Sequence, residues 1–175
     1  MTLDRISLAE YVVLGVSAEA PTHGFAVAKT LSEEGDLGRV FTLGRPQVYR
    51  ALQHLLEHGF IEAVRTEPSE SGPHRQINRI TASGRSVLDE WLGKPVDHVR
   101  DLRIAFLVKV TLLERSKRSP VPLIDRQRKQ LRTTLEALVE ADEKDVVSLW
   151  RRANAAAADH FLDELRSTFL AGARQ

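Results

Sequence analysis

Residues 42–81 hold two groups of side chains suited to nucleic-acid recognition, one on a predicted helix and one beside a predicted hairpin. A predicted helix there carries long hydrogen-bond donors along one side: Arg45, Gln47, Arg50, Gln53 and His54. Guanidinium, amide and imidazole groups reach phosphate oxygens and the base edges exposed in the major groove of DNA. The polar side of an ordinary surface helix would look similar, because such patterns are short and degenerate. The neighbouring elements must distinguish these two interpretations.

A second set of cations surrounds a predicted hairpin that follows this helix. One strand starts at Phe60, and residues 76–80 form its return. Residues 66–74, rich in Pro, Ser, Glu and Gly, are therefore predicted to be the tip. Such a hairpin carries cations along one edge of a fold, where they can meet a second stretch of phosphate backbone. The cations beside the tip are Arg65, His74, Arg75 and Arg79.

The donor-bearing helix is indicated by local signals that agree. Gly44 and Pro46 mark its start, since proline is tolerated in the first turn of a helix. Apolar residues then recur at intervals of three and four, and Gly59 supplies a left-handed stop. The apolar stripe consists of Val48, Leu52, Leu55 and Leu56. One side of the helix therefore faces a core, and the opposite side carries the donors.

Two helices are predicted before this segment. Residues 7–16 form the first, with Ser7 as N-cap and Glu10 completing a capping box. Its side chains are nearly all apolar, so we expect it to be buried on more than one side and to contribute to a subunit contact. Residues 25–34 form the second helix, which should brace the donor-bearing helix from behind. Its inward side chains are predicted to be Phe25, Val27, Ala28 and Leu31.

A further helix, residues 81–92, follows the hairpin with Thr81 as its N-cap. Gly93 and Pro95 end it, and we place a domain boundary there, between residues 1–95 and 96–175. The second part shows helical patterns and no strand signals. The predicted fold is therefore mainly α with a small β-wing: an N-terminal winged helix-turn-helix followed by a C-terminal helical domain.

The C-terminal part contains three segments with helical patterns. Residues 99–113 are predicted to form a helix that contains the densest apolar stretch of the chain, residues 104–113, and residues 123–140 start with a basic face predicted to be solvated, made of Arg126, Arg128, Lys129 and Arg132. Residues 143–170 form a long last helix, with Asp142, Glu143 and Asp145 as favourable charges at its N-terminus. Small residues in its inward stripe allow helices to approach closely, so we expect a dimerisation arm. That stripe is predicted to be Val146, Trp150, Ala153, Ala157, Phe161, Leu165 and Thr168.

Composition narrows the classes of function. The 175 residues include no cysteine, which excludes disulfides, thiolate catalysis and cysteine zinc sites. The longest dense apolar stretch is too short for a membrane span and no signal peptide is evident, so we expect a soluble cytoplasmic protein. The net charge is only +1, and residues 1–95 hold ten Lys and Arg against twelve Asp and Glu. An argument for DNA binding must therefore depend on where the charges lie.

The sequence gives little support for a catalytic or metal-binding function. The sequence lacks a glycine-rich phosphate loop followed by lysine, a nucleophile elbow and a metal triad. His54 and His58, four residues apart, could share a metal ion, but no HExxH pattern or cysteine accompanies them. A helix surface or a phosphate contact explains these histidines better. We therefore expect no enzyme, no cofactor and no metal site.

Three stretches resemble the PadR-like family of transcriptional regulators, which are winged helix-turn-helix proteins: LGVSAEAPTHGFAVAKTL at 14–31, VYRALQHLLEHGFIE at 48–62 and GPHRQINRITASGRSVLDEWL at 72–92. The residues at family motif positions are Tyr49, Leu52, Leu55, Gly59, Ile61, Thr81, Gly84 and Leu88. The chain departs from the family pattern at residues 45–47 and 72–75. The resemblance is strong over the N-terminal part and looser over the C-terminal helices.

The resemblance implies a homodimeric, sequence-specific DNA-binding regulator, a repressor that responds to a ligand. The dimer would form through the C-terminal helices and the first helix, on a pseudo-palindromic operator. Combined with the donors described above, it implies DNA contacts from Arg45, Gln47, Tyr49, Arg50, His54, Arg65, His74 and Arg75.

Some members of this family sense small aromatic ligands between the two halves of the chain. The resemblance therefore makes Trp91, Phe106 and Trp150 candidates for an effector pocket. The alternative for these three is packing in a core or dimer interface, which aromatic residues at helical spacing usually indicate.

Two other classes of function stay open. A winged helix could use the same helix face to bind a protein partner, which the near-neutral net charge favours. The helical part could instead belong to a small-molecule carrier or an enzyme. Neither class explains why polar donors on a helix and a cationic hairpin occur together.

Overall fold

The computed structural model describes residues 6–69, 72–140 and 145–172. Within these ranges the chain is mainly helical with one two-stranded antiparallel sheet, which confirms the predicted fold class. The chain divides into two compact units between Trp91 and Leu92. The roles assigned to the two parts stay predictions. None of the helices in these ranges is long and apolar enough to cross a membrane.

The first helix, α1 (Leu8–Ser17), begins as predicted. The Ser7 hydroxyl accepts a hydrogen bond from the Glu10 backbone N–H at 3.3 Å, and the Glu10 carboxylate accepts one from the Ser7 N–H at 2.6 Å. These bonds complete the capping box. All residues from 11 to 17 are buried within the chain. The expected subunit contact of this helix therefore lacks the exposed apolar surface on which the prediction depended.

The second helix, α2 (Gly24–Thr30), is shorter than predicted. It ends early because the following chain turns tightly: a Cβ atom on Gly38 would lie 1.7 Å from the Ser32 carbonyl oxygen. Val27, Ala28 and Leu31 are buried as expected. Phe25 is 46% exposed, so the prediction that it faces inward is wrong.

The third helix, α3 (Arg45–Glu57), agrees with its sequence signals. Pro46 lies in its first turn, and Gly59 adopts a φ of +68°, which favours glycine beyond a helix end. The buried side chains are Val48, Ala51, Leu52 and Leu55. These residues form one stripe, which packs against α1 and α2. The opposite side of α3 is therefore left for solvent or a partner.

The wing consists of β1 (Ile61–Ser69) and β2 (Gly72–Ile80), paired antiparallel from Ile61↔Ile80 to Ser69↔Gly72. The strands extend further than predicted, because most of the expected tip, residues 66–74, is paired strand. A ribbon whose faces both meet water does not need the apolar alternation that sequence analysis depends on. The centre of the tip, residues 70 and 71, lies outside the described residues.

The base of the wing is tied to the segments around it. Thr22 and Asn78 exchange two backbone hydrogen bonds, of 2.9 and 2.7 Å, which join the turn before α2 to β2. The fourth helix, α4 (Ala82–Gly93), starts at the predicted N-cap, where the Thr81 hydroxyl accepts a bond from the Gly84 N–H at 3.1 Å. A Cβ on Gly84 would lie 2.0 Å from the Phe60 carbonyl oxygen. The wing and α4 can therefore meet this closely only with glycine at this position.

The second unit is helical. A 3₁₀ helix (Val99–Arg103) and α5 (Ala105–Arg115) together span the segment predicted as one helix, and α6 (Val121–Glu140) packs on α7 (Val146–Gly172). Asp145 caps α7 by accepting bonds from the Val147 and Ser148 N–H groups at 2.8 and 3.2 Å. Hydrogen bonds from Ser148 and Val147 lower the pKa of this carboxyl. The other two acidic residues assigned to this helix start, Asp142 and Glu143, lie outside the described residues.

The face of α7 that packs within the chain differs from the predicted one. The helix buries Ser148, Ala155 and Leu162, which recur every seven residues. Residues of the predicted inward stripe are exposed instead, including Val146 at 78% and Trp150 at 68%, so that prediction is wrong for this chain. The small buried residues allow α6 to lie close to α7. The more apolar face of α7 is left uncovered.

The basic face predicted at the start of α6 is also only partly solvated. The Arg128 side chain is 18% exposed, and its Nη1 lies 2.7 Å from Asp163 Oδ1 on α7. Its Nε lies 3.6 Å from Asp159 Oδ1, too far for a hydrogen bond. The Arg126 Nε donates to the Gly93 carbonyl at 2.8 Å. Both arginines join elements of the second unit. Arg126 is exposed as predicted, whereas the prediction of a solvated side chain is wrong for Arg128.

Candidate nucleic-acid interface

The exposed side of α3 has a centre and two flanks. Successive helix residues are turned by about 100°, so positions can be placed relative to the buried stripe. Arg50 and Gln53 lie at the centre, opposite that stripe. Arg45 and Tyr49 lie on one flank, and Gln47 and His54 lie on the other.

Arg50, at the centre of this side, is exposed. Within the described ranges no hydrogen bond or ion pair holds its guanidinium. Gln53, one turn further, donates to Glu57 Oε1 at 2.8 Å, so its amide is partly occupied within the helix. In helix-turn-helix proteins the N-terminal residues of the recognition helix contact the bases. Arg50 is therefore the side chain of α3 best placed to do so.

Gln47 has a structural role in addition to the predicted one. Its Oε1 accepts a hydrogen bond from the Gly44 backbone N–H at 2.9 Å, which is the half of a capping box that remains when the N-cap is glycine. A bidentate contact with adenine would use both the oxygen and the amide nitrogen of a glutamine. While the cap is formed, one of the two acceptor sites of the Gln47 oxygen is used, so the side chain offers DNA its two N–H donors and one remaining acceptor site.

His54 lies on the flank of α3 that also bears Gln47, and it faces α1. Its Nδ1 lies 2.8 Å from Glu10 Oε1, but the two groups are not aligned for a hydrogen bond. The ring centroid of His58 is 4.0 Å away, and His58 Nδ1 lies 2.8 Å from the His54 carbonyl oxygen. The described ranges contain no group of three or more possible metal ligands. His54 is therefore at the edge of the exposed side rather than at its centre.

The flank that bears Arg45 and Tyr49 meets the start of α2. The Arg45 guanidinium carbon lies 5.1 Å from the centroid of the Phe25 ring, within the range of a cation–π contact. A Cβ on Gly24 would lie 2.6 Å from Tyr49 Cε1, so the tyrosine ring rests on the backbone of α2. Sequence analysis missed Phe25 at this site. The helical spacing could have predicted its exposure, because Val27, Ala28 and Leu31 form one buried stripe and Phe25 falls on the other side of the helix.

The wing arginines differ in how far they are paired. Arg65 Nε lies 2.7 Å from Glu67 Oε1, and Arg79 Nη2 lies 2.6 Å from Glu62 Oε1. Arg75, opposite Glu67 in the strand register, is exposed and forms no hydrogen bond or ion pair within the described part of the chain. His74 is likewise exposed and lies next to the tip. Arg75 and His74 are therefore the more available wing side chains, and the charge of Arg65 is shared.

The three aromatic residues proposed for an effector pocket have different surroundings. Trp91 stacks on Tyr11 in the first unit, with ring centroids 4.4 Å apart and planes 6° apart. Phe106 is fully buried in the second unit. Trp150 lines an open cavity of about 1090 Å³ in the second unit, together with Arg100, Arg103 and Arg151. Phe106 is not among the residues lining that cavity.

The pKa values of two buried groups are shifted from their ordinary values. Burial raises the pKa of the Tyr11 hydroxyl, and the nearby Glu90 carboxylate raises it further. Burial lowers the pKa of Lys109 to about 8, with a smaller contribution from Lys94 in the same direction and an opposing one from Asp97. The Lys109 Nζ donates to the Lys94 carbonyl at 2.6 Å. This amine is 3% exposed, so it belongs to the core of the second unit rather than to a surface site.

Comparison with solved structures gives matches over nearly the whole chain. Bacillus subtilis PadR in complex with operator DNA is 16% identical, with 93% of this chain and 99% of that chain covered and a TM-score of 0.49. The same protein in complex with p-coumaric acid is 18% identical, with 93% and 99% covered and a TM-score of 0.45. The protein smu.1604c from Streptococcus mutans UA159 is 15% identical, with 95% and 98% covered and a TM-score of 0.44.

Comparison with curated proteins gives no match. Comparison with protein families matches residues 13–90 to the family described as "Transcriptional regulator PadR-like family". The matched residues run from α1 through the wing into α4, so they include the whole candidate interface. Over residues 13–90, a little under half of the chain, the sequence matches the PadR-like family of transcriptional regulators.

Proposed function

We propose that the chain is a sequence-specific DNA-binding regulator that acts as a homodimer and represses transcription by occupying its operator. The observation that carries this proposal is the position of Arg50, which is exposed and unpaired within the described ranges at the centre of the free side of α3. A guanidinium in that position matches the bidentate acceptors of guanine in the major groove. A regulator of this kind would act in the cytoplasm, where the chromosome is.

The other side chains take supporting roles in this proposal. Gln47 enters the groove through its amide donors, and Arg45, Tyr49 and His54 contact its rim. The wing side chains Arg65, His74 and Arg75 reach phosphates or the minor groove. Arg75 contributes most because no carboxylate of the described residues pairs with it, whereas Glu67 competes for Arg65. Contacts with phosphates position a protein, and contacts with bases select the sequence.

The homodimer is supported by the uncovered face of α7. Val146, Trp150 and Phe161 are 78%, 68% and 37% exposed, and alanines lie between them. Apolar side chains repeated on one side of a long helix indicate a helical partner. A second copy of the chain would present the same face. Two-fold symmetry would then require a pseudo-palindromic site with half-sites about one helical turn, or a multiple, apart.

A response to a small aromatic effector is proposed on separate grounds. The cavity of about 1090 Å³ in the second unit is lined by an exposed indole, Trp150, and by the cations Arg103 and Arg151. Arg100 also lines it, but its Nε lies 3.8 Å from Asp101 Oδ1, so its charge is shared. A flat ring can stack on the indole while an acidic substituent pairs with an arginine. The ligand class that fits is an aromatic acid. Titration of the protein–DNA complex with aromatic acids and their neutral amides, matched in size, tests both the response and its dependence on charge.

Selection of bound sequences from a random DNA pool tests the main proposal. The full-length chain should enrich one symmetric motif, and Arg50→Ala should lose preference at a guanine of each half-site, by about 1–3 kcal/mol. Arg79→Ala is a suitable control because that arginine is already paired with Glu62. If no motif is enriched but a protein partner binds this helix face, the chain is an adaptor and the proposal is wrong.

A further inference from the structure

The exposed ring of Phe25 lies beside the recognition helix, and the proposed function gives it no contact with DNA. Single exposed apolar side chains are common on proteins, so exposure alone implies no role. The neighbours of Phe25 are what distinguish it. The Arg45 guanidinium stacks over its ring, with the guanidinium carbon 5.1 Å from the ring centroid. The centroid of the His23 ring lies 6.4 Å from the centroid of the Phe25 ring.

The same small region includes the next exposed residue of α3. Arg45 and Tyr49 are four residues apart and therefore lie on one side of the helix. Tyr49 is 52% exposed, and its ring rests on the backbone at Gly24, next to Phe25. Two aromatic rings and one guanidinium thus form a continuous surface at the N-terminal end of α3, the end that enters the groove in helix-turn-helix proteins.

The backbone around Phe25 is held by hydrogen bonds at the N-terminal end of α2. The Thr22 backbone is joined to Asn78 of the wing by two bonds of 2.9 and 2.7 Å. The His23 Nδ1 accepts a bond of 3.2 Å from the Ala26 N–H and caps the helix. The Phe25 backbone therefore has a defined place relative to the wing, and its ring packs with the Arg45 guanidinium of α3. A contact made by such a residue needs little ordering when a partner binds.

We propose that Phe25 is a specificity-determining residue, whose ring contacts the C5-methyl group of a thymine and holds the Arg45 guanidinium against the same strand. The inference rests on the proposed DNA-binding function. The thymine methyl is the apolar group of the major groove, and a phenyl ring is a suitable contact for it. A guanidinium stacked on a ring keeps its N–H donors directed outward, where they can reach a base edge or a phosphate.

The test uses the DNA sequence selected by the wild-type chain, with each thymine replaced in turn by deoxyuridine, which lacks only the methyl group. Wild-type affinity should fall at one position of the half-site by roughly fourfold, the effect of removing one buried methyl group. Phe25→Ala should bind the thymine site more weakly and show no further loss with deoxyuridine. Phe25→Tyr keeps the ring and should retain both the affinity and the deoxyuridine effect. Arg45→Ala should bind more weakly and retain the deoxyuridine effect.

The outcomes are distinct. If the wild type is insensitive to deoxyuridine at every thymine, or if Phe25→Ala keeps the full effect, Phe25 does not contact a methyl group and the inference is wrong. If the wild type enriches no DNA sequence at all, the proposed function itself fails. Because Phe25 is about half exposed, Phe25→Ala should fold normally, and its circular dichroism and melting temperature check this before affinities are compared.

Discussion

The side-chain oxygen Oε1 of Gln47 accepts a hydrogen bond of 2.9 Å from the backbone N–H of Gly44. A residue expected only to read bases therefore also caps the recognition helix. Gln47→Ala should lower the free energy of unfolding by about 0.5–1 kcal/mol through loss of the cap. Gln47→Glu keeps an acceptor at this position and should unfold like the wild type.

Both Gln47 variants should lose the same base preference, because neither has an amide donor. Binding-site selection with the two proteins, alongside urea unfolding, separates the cap from the contact with DNA. If both variants select the same motif as the wild type, Gln47 is a capping residue and does not contact bases.

Arg75, which forms no ion pair with the residues that the structure describes, predicts an effect on the salt dependence of binding. Arg75→Ala should weaken binding to all sequences alike and flatten the slope of log K against log salt concentration by about one unit, since one phosphate contact is lost. Arg79→Ala changes the net charge equally, but that arginine is paired with Glu62 at 2.6 Å. Its slope should stay close to that of the wild type. Equal slopes for all three proteins would contradict the role given to the wing.

The close approach of α4 to the wing predicts a cost for any side chain at Gly84. The Cβ of Gly84→Ala would lie 2.0 Å from a backbone oxygen of Phe60, which cannot move without shifting the wing. We expect a loss of about 2 kcal/mol or more in the free energy of unfolding. Gly93→Ala, on the same helix, would meet only Arg126 Nη2 at 3.7 Å and should be nearly neutral. Thermal denaturation of the two variants should therefore differ clearly, and similar melting temperatures would show that the contact relaxes.

The buried amine of Lys109 predicts a stability change in alkaline solution. Its pKa is about 8 in the folded chain and near 10.5 when exposed, so the unfolded state binds more protons between these values. Stability should therefore rise with pH across this window relative to Lys109→Met, which has no proton to lose. Below pH 8 the Lys109 amine is charged in both the folded and the unfolded state, so the full cost of burying its charge lowers the stability of the fold.

Urea unfolding of the wild type and Lys109→Met at pH 7, 9 and 10 checks this sign. The stability of the wild type minus that of the variant should increase with pH. Tyr11, whose pKa burial raises, is present in both proteins and cancels in the difference. A difference that does not change with pH would mean that the amine is as well hydrated in the folded chain as in the unfolded one.

Local signals were sufficient to predict the elements of the first unit. The capping box of Ser7 and Glu10, the glycine stop at Gly59 and the N-cap Thr81 are all formed by groups within a few residues of one another. Such interactions are encoded by spacing alone. The length of the wing was underestimated, because a two-stranded ribbon bathed by water carries no alternation of apolar residues.

Choices between distant partners could not be predicted in the same way. Arg128 is paired with Asp163 on another helix, a contact that no local pattern encodes. In α7 two stripes competed for burial, and the chain covers the smaller residues Ser148 and Ala155 rather than the larger Val146 and Trp150. An apolar pattern cannot tell packing within a chain from packing against a second copy. Of the predicted basic face of α6, Arg126, Lys129 and Arg132 are exposed and only Arg128 is largely covered.

At the candidate interface, residue type predicted which side chains are exposed more reliably than it predicted the role of each one. Arg50 and Arg75 are exposed as their types suggested, whereas the oxygen of Gln47 is partly occupied and Arg65 is shared with Glu67. Phe25 was assigned to the core because it is apolar, although its place in the helical repeat already put it on the outer side of α2.

Footprinting of the full-length chain on DNA selected from a random pool tests the central proposal most directly. A dimer that inserts two copies of α3 should protect two symmetric half-sites about one helical turn, or a multiple of it, apart, and Arg50→Ala should lose this protection at concentrations where the wild type is bound. Protection of a single half-site by a stable monomer, or an unchanged footprint with Arg50→Ala, would contradict it.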